Sequence, residues 1–148
     1  MDCSAHCVKV VTTNTNLLAR ASAGAAGYDL YAAESVVIAP GSSRKVTTGL
    51  RVEMDGGMFA MVLGRSGLAL KNNVIAHNGT IDSDYRGEIC VLLFILSLSN
   101  TFEVAKGDRV AQLVFVPLLT PELVSVQRLS ETSRGSKGFG STGINALE

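Results

Sequence analysis

The chain contains no tryptophan, and aromatic residues make up 5% of its 148 positions. A platform that stacks bases needs several exposed rings, so single-stranded nucleic acid is a poor match as a partner. An excess of one charge sign is missing too. Lys and Arg number 13, Asp and Glu number 13, and the formal net charge is zero. No basic surface for a phosphate backbone is therefore expected. Histidine occurs only at His6 and His77, and cysteine only at Cys3, Cys7 and Cys90. An odd cysteine count without a CxxC pair argues against a disulfide framework and against a Cys/His zinc site. Reduced thiols and an intracellular location are the expectation. No charged start followed by an apolar stretch marks a secretory signal. The longest apolar run, Cys90–Leu96, falls far short of the ~20 residues that a membrane-spanning helix needs. No membrane partner is expected.

What is present points to a packed β domain. Hydrophobic residues make up 47% of the chain, enough for a core in a single domain. Helix signals are weak, while Val, Ile and Thr are frequent between Gly and Asn clusters. The pattern predicts strands at Val8–Thr12, Val36–Ala39, Lys45–Glu53, Met58–Leu63, Glu88–Ser97, Val110–Leu118 and Leu123–Arg128. Turns are predicted at Pro40-Gly41, Asp55-Gly56-Gly57, Asn72-Asn73, Asn78-Gly79 and Lys106-Gly107-Asp108. Many short strands at this spacing suggest an all-β barrel or sandwich. Ser66–Lys71 suits one helical turn. Cys90–Leu96 and Leu113–Val116 lack polar alternation, which suits strands covered on both faces, in the core or at a subunit interface.

Five polar clusters interrupt the apolar pattern. They are Gly27-Tyr28-Asp29-Leu30, Gly64-Arg65-Ser66-Gly67, the run Gly79 to Gly87, the run Gly107 to Gln112, and "RGSKGFGSTG" at residues 134–143. Arg65-Ser66-Gly67 offers a fork of donors, or simply a β-turn with a surface Arg. The third run places Asp82 and Asp84 beside Tyr85. It reads either as a solvated turn or as a general base with a ring that packs on a substrate. Asp29 alone suits a structural turn. Gln112 adjoins an apolar run, and a buried amide needs a partner.

The fifth cluster holds four glycines in ten residues. Glycine lets successive N–H groups turn toward an anion, and Arg134, Ser141 and Thr142 add donors suited to phosphate oxygens. Gly135 and Gly140 have the spacing of a P-loop, but Ser141 stands where its Lys belongs, and no helix is expected to follow. A Walker ATPase is excluded. A plain Gly/Ser linker has no use for Phe139, whereas a lid over a flat base does. Residues 1–133 are thus read as one all-β domain and 134–148 as its mobile Gly-rich lid. With no Ser-His-Asp or Cys-His set, water is the expected nucleophile. A carboxylate would activate it, with a hard cation such as Mg²⁺ on phosphate oxygens.

In order and spacing the five clusters resemble the motifs of the trimeric deoxyuridine triphosphatase (dUTPase) family. The matching runs are "AGYDLYA" (26–32), "GRSGLA" (64–69), "NGTIDSDYRGE" (78–88), "GDRVAQL" (107–113) and "RGSKGFGSTG" (134–143). The resemblance covers nearly the whole chain from about Val8. It implies a distorted jelly-roll-like β-barrel, a homotrimer with an exchanged C-terminal segment, and sites at subunit interfaces. It implies hydrolysis of dUTP to dUMP and pyrophosphate with Mg²⁺, which limits uracil in DNA and supplies dUMP for thymidylate synthesis. Position by position, Asp82 matches the base that activates water for attack on the α-phosphorus. Tyr85 matches the ring beneath the deoxyribose that leaves no room for a 2′-OH. Asn78, Gly79, Thr80 and Ile81 match the hairpin that reads uracil. Asp29 matches the carboxylate that holds hydrated Mg²⁺ through water. Arg65, Ser66, Gly67 and Gln112 match positions along the phosphates. Arg134, Gly140, Ser141 and Thr142 match the tail's grip on phosphates, and Phe139 the ring over uracil.

Three departures stand out. Gly64 replaces the usual Pro before Arg-Ser-Gly, Lys137 stands where a small residue is common, and "FILSLSNT" (94–101) is unusually apolar. Two other functions share the fold. One is a protein-interaction or signalling module, which need not keep Asp29, Asp82, Tyr85 and Phe139 together. The other is a dCTP deaminase relative, whose chains are usually longer and carry further catalytic residues not found here.

Overall fold

The computed structural model describes residues 7–14, 20–136 and 138. Ten strands and one short helix follow one another: β1 (Lys9–Val11), β2 (Tyr28–Tyr31), β3 (Val36–Ile38), β4 (Ser43–Glu53), β5 (Met58–Leu63), α1 (Ser66–Asn72), β6 (Val74–Ala76), β7 (Gly79–Ile81), β8 (Ile89–Ile95), β9 (Phe102–Val104) and β10 (Arg109–Pro117). One four-stranded sheet has the order β1-β4-β8-β6, a second has the order β2-β10-β5-β7, and β3 pairs with β9. Every pairing is antiparallel. The fold is a distorted jelly-roll-like β-barrel.

The long strands form where apolar residues recur at every second position. Val46, Thr48, Leu50 and Val52 on β4 point inward, as do Ile89, Val91, Leu93 and Ile95 on β8. Ala60 and Val62 of β5 and Leu113 of β10 join them in one core. Removing a side chain of Leu or Val size from water contributes about 1.5–3 kcal/mol. This face is what holds the sheets together. Val110 and Ala111 are both buried although they are adjacent, because the β10–β2 register slips between Arg109 and Ala111. A bulge of this kind breaks the alternation of faces.

Several expectations are corrected. Leu123–Arg128 is not a strand: residues 118–136 carry no regular ladder and lie exposed. A strand needs an edge to bond, and among the described residues none pairs with this segment. Asn78-Gly79 does not turn between two paired strands. β6 pairs with β8 and β7 with β5, so His77 and Asn78 carry the chain from one sheet to the other. Cys90–Leu96 is not covered on both faces in a single chain. Its inward residues are buried, while Cys90, Leu92 and Phe94 are half-buried. Val114, Phe115 and Val116 are half-buried too. Burial nonetheless pushes the Cys90 thiol above its usual range, and the Glu88 carboxylate adds to this. Cys7 is disulfide-bonded, against the expectation of reduced thiols, while Cys90 is free. Among the described residues no helix is long and apolar enough to cross a membrane.

Candidate active site

Strand register brings together residues far apart in the chain. Asp29 of β2 lies opposite Gln112 of β10, and Gln112 lies opposite Leu63 of β5. The second polar cluster begins where β5 ends. Gln112 Nε2 donates to the carbonyl of Gly64 at 3.1 Å, so the amide next to the apolar run has its partner. The approach is close. A Cβ on Gly27 would sit 3.0 Å from Gln112 Oε1 and 3.2 Å from the Leu113 carbonyl, tighter than ordinary packing allows.

Two guanidiniums converge on the Asp29 carboxylate. Arg65 Nε lies 3.5 Å from Oδ1 and Arg109 Nη1 lies 3.2 Å from Oδ2. Arg65 Nη1 also donates to the Arg109 carbonyl at 3.0 Å. Asp29 is the most enclosed of the three, its side chain 17% exposed. Two cations thus share one anion, and the guanidinium edges left over suit a bidentate oxyanion such as a phosphate. A cavity of about 310 Å³ opens beside them, lined by Arg65, Leu68, Phe102, Asp108, Arg109 and Val110 among others. Asp108 is engaged there, accepting the Ala105 N–H at 2.9 Å. Ser66 and Gly67, both exposed, open α1 beside Arg65.

Asp82 and Tyr85 lie elsewhere. β7 pairs with β5 so that Ile81 faces Ala60, and Asp82 follows at its exposed end. Asp82 is thus four rungs and three strands from Asp29, roughly 20 Å at the usual strand rise and spacing. The Tyr85 N–H donates to the Asp82 carbonyl at 3.1 Å. Arg86 Nη1 donates to the carbonyls of Ser83 and Tyr85 at 2.7 and 3.0 Å. The turn therefore braces itself. Among the described residues no hydrogen bond reaches the Asp82 carboxylate. Asn78 and Thr80 are exposed, and Gly79 and Ile81 half-buried.

Arg134 sits inside a tight turn that Gly135 (φ 54°) closes by donating to the Thr132 carbonyl at 3.0 Å. Phe139, Gly140, Ser141, Thr142 and Lys137 lie outside the described residues. Of the predicted residues, the structure brings together Asp29, Arg65 and Gln112, with Ser66 and Gly67 adjoining. β7 lies at the opposite edge of the sheet from Asp29: Gly79 pairs with Val62, beside the end of β5, while Asp82 and Tyr85 lie beyond its far end. Arg109 and Glu88 were given no role by sequence reasoning, although both stand inside the quoted runs.

The dUTPase family model matches residues 13–143 of the chain. The chain belongs to the dUTPase family. It is 48% identical over 121 residues to the deoxyuridine 5'-triphosphate nucleotidohydrolase of Nautilia profundicola, covering 80% of this chain and 84% of that protein. A solved dUTPase of Staphylococcus bacteriophage 80alpha with dUpNHpp superposes with a TM-score of 0.85 at 28% identity, covering 93% of this chain and 99% of that one. A mutant dUTPase from phage phi11 of S. aureus, described with a coordinated structural Mg(II) ion, matches with a TM-score of 0.76 at 25% identity, covering 84% of this chain and 99% of that one. The Gly64 departure from the dUTPase pattern has a local compensation, since the Gln112 amide pins its carbonyl. The apolar 94–101 stretch supplies Ile95 to the core and leaves Leu96 and Leu98 exposed.

Proposed function

We propose that the chain hydrolyses dUTP to dUMP and pyrophosphate, and that it does so as a homotrimer whose sites each draw on more than one copy. The separation of the two polar regions carries this reading. Every dUTPase motif is present, yet Asp82 stands roughly 20 Å from the Arg65–Asp29 cluster at ordinary strand spacings. A substrate that needs both regions at once can meet them only where copies adjoin. Leu92 and Phe94 leave an apolar outer face on β8, and Leu119, Leu123 and Leu129 are each more than four-fifths exposed. Apolar surface of this extent favours a protein partner. A groove of about 670 Å³ between the sheets, lined by Val8, Val10, Leu50, Val52 and Phe115 among others, suits an extended apolar arm such as residues 118–129 of a neighbouring copy.

In this reading Asp82 takes a proton from the water that attacks the α-phosphorus. Its exposed carboxylate is free to do so. Tyr85 lies under the deoxyribose, and the Asn78–Ile81 backbone reads the uracil edge. A cytosine would leave donors unpaired there, a severe penalty. Arg65, Ser66, Gly67 and Gln112 line the phosphates and stabilise charge as it develops. Arg134 and the segment with Phe139, Gly140, Ser141 and Thr142 close over the nucleotide. Among the described residues no group of three acidic or Cys/His ligands forms a metal cage. Asp29 is the carboxylate that both arginines engage, while Asp108 beside them is occupied by the Ala105 N–H. That set fits Mg²⁺, which keeps several waters and binds largely through substrate phosphates. Asp29 would hold it through water, and the ion would neutralise phosphate charge when bound.

Pyrophosphate release from dUTP, UTP and dCTP with and without Mg²⁺ tests the proposal. Rapid Mg²⁺-dependent release from dUTP alone is expected. Equal turnover of UTP, or ammonia from dCTP, would overturn it.

A further inference from the structure

Glu88 stands just before β8, and its carboxylate has an unusual engagement. Oε1 accepts the backbone N–H of Thr48 at 3.1 Å and of Gly49 at 2.7 Å. These two residues form the bulge of β4, where the ladder to β8 slips between Thr47 and Leu50. Gly49 has φ 67°, a conformation that glycine tolerates and other residues resist. The bulge takes two N–H groups out of the regular ladder, and the buried Thr48 N–H in particular needs an acceptor. The Glu88 carboxylate supplies it. The Thr48 hydroxyl completes the closure by donating to the Ile89 carbonyl at 2.5 Å. No cation lies within ion-pair distance of Glu88 among the described residues. The carboxylate is anchored by backbone donors alone.

The same residue holds Tyr85. The Tyr85 hydroxyl donates to the Glu88 carbonyl at 3.1 Å. The ring lies against Gly87, where any Cβ would collide with it. Tyr85 is 43% exposed, so little else walls it in. A continuous path runs from the β4 bulge through Glu88 to the Tyr85 ring and on to the Asp82 turn. We propose that Glu88 is a positioning residue that sets the sugar selectivity of the site by fixing the Tyr85 ring. This rests on the reading of Tyr85 as the ring beneath the deoxyribose. A ring that rejects one hydroxyl group must be held to within a fraction of an ångström, and small displacements near a reacting centre carry large kinetic effects. The bulge of a core strand is a rigid enough base for that.

The test compares kcat/KM for dUTP and UTP in the full-length wild type, Glu88→Gln, Glu88→Ala and Tyr85→Phe. Glu88→Gln keeps an acceptor oxygen for the bulge and should retain near wild-type discrimination. Glu88→Ala removes it, and the dUTP-over-UTP ratio should fall about tenfold or more. Tyr85→Phe cuts the hydroxyl tether alone and should relax the ratio by a smaller factor. If Glu88→Ala does not fold, Tyr85→Phe decides. A wild type that discriminates, with Glu88→Ala losing dUTP and UTP turnover in equal proportion, or Tyr85→Phe keeping the full ratio, overturns the inference while the proposed function stands. A wild type without Mg²⁺-dependent dUTP turnover overturns the proposed function instead.

Discussion

The two polar regions of this molecule are built in opposite ways. Around Asp29, three strands and a helix start contribute to one cluster: Gln112 ties Gly64, Arg65 and Arg109 share Asp29, and Gly27 makes room. Around Asp82, the ties within the turn are local, from Tyr85 and Arg86 to carbonyls a few residues away. The first region is a product of tertiary register. The second is a self-braced turn whose carboxylate is presented outward. A region that waits for a partner has to be stable before the partner arrives, and a turn with internal hydrogen bonds meets that need at low cost.

The largest effect is expected from asking whether these regions serve one reaction. Asp82→Asn should lower kcat by about 10²–10⁴, the usual worth of a general base, and Arg65→Ala should also be strongly impaired. Unfolded together and refolded as a mixture, the two variants should recover activity well above either parent, because some sites combine an intact Asp82 from one copy with an intact Arg65 from another. A mixture no better than its parents would place the whole site within one chain. The comparison sharpens further at two glycines. Gly27→Ala forces a methyl against Gln112 Oε1 and the Leu113 carbonyl and should destabilise the chain by about 1–3 kcal/mol, as overpacking does. Gly64→Ala meets nothing nearer than the Ala76 nitrogen at 3.5 Å. It should be neutral or stabilise by about 0.4–1 kcal/mol through the unfolded chain. Urea titrations of both variants check the opposite signs.

The smallest effect belongs to Glu53, which lies near the acidic turn. Its hydrogen bond to Lys9 at 2.6 Å holds its carboxyl below the usual range, with the charges of Lys9 and Arg86 acting the same way. A depressed carboxylate contributes stability above its unfolded pKa and loses it as pH falls through the folded value. The pair is exposed to water, where ion pairs contribute little. Glu53→Gln should therefore shift Tm barely at neutral pH and not at all in acid, below both pKa values. A clear drop at neutral pH would mean that the turn leans on β4 more than its own hydrogen bonds indicate.

The longer strands were all legible in the sequence. β5 appears at the predicted bounds, and β4, β8 and β10 within two residues of theirs, because six or more residues display a period. Of the strands of three or four residues, β1 and β3 appear within one residue of their predicted bounds, because each is a run rich in Val, while β2, β6, β7 and β9 were missed: β2 and β7 lie inside polar clusters, and all four are too short to show alternation of their own. Leu123–Arg128 has the composition of a strand but pairs with nothing among the described residues. At the site, Asp29, Arg65, Ser66, Gly67, Asp82, Tyr85 and Gln112 were legible as clusters of chemically able residues. Arg109 was not, since its value comes from a bulge that turns it toward Asp29. Glu88 was not, since its carboxylate answers a bulge in a strand about forty residues earlier.

The sequence by itself determined the β class, the five clusters and the family to which they belong. These depend on residue identity and on spacing along the chain. Only the tertiary structure decided that Asp29, Arg65 and Gln112 meet, that Asp82 does not join them, and that Glu88 bears on Tyr85. Those outcomes depend on register, where a slip of one residue moves a side chain to the opposite face.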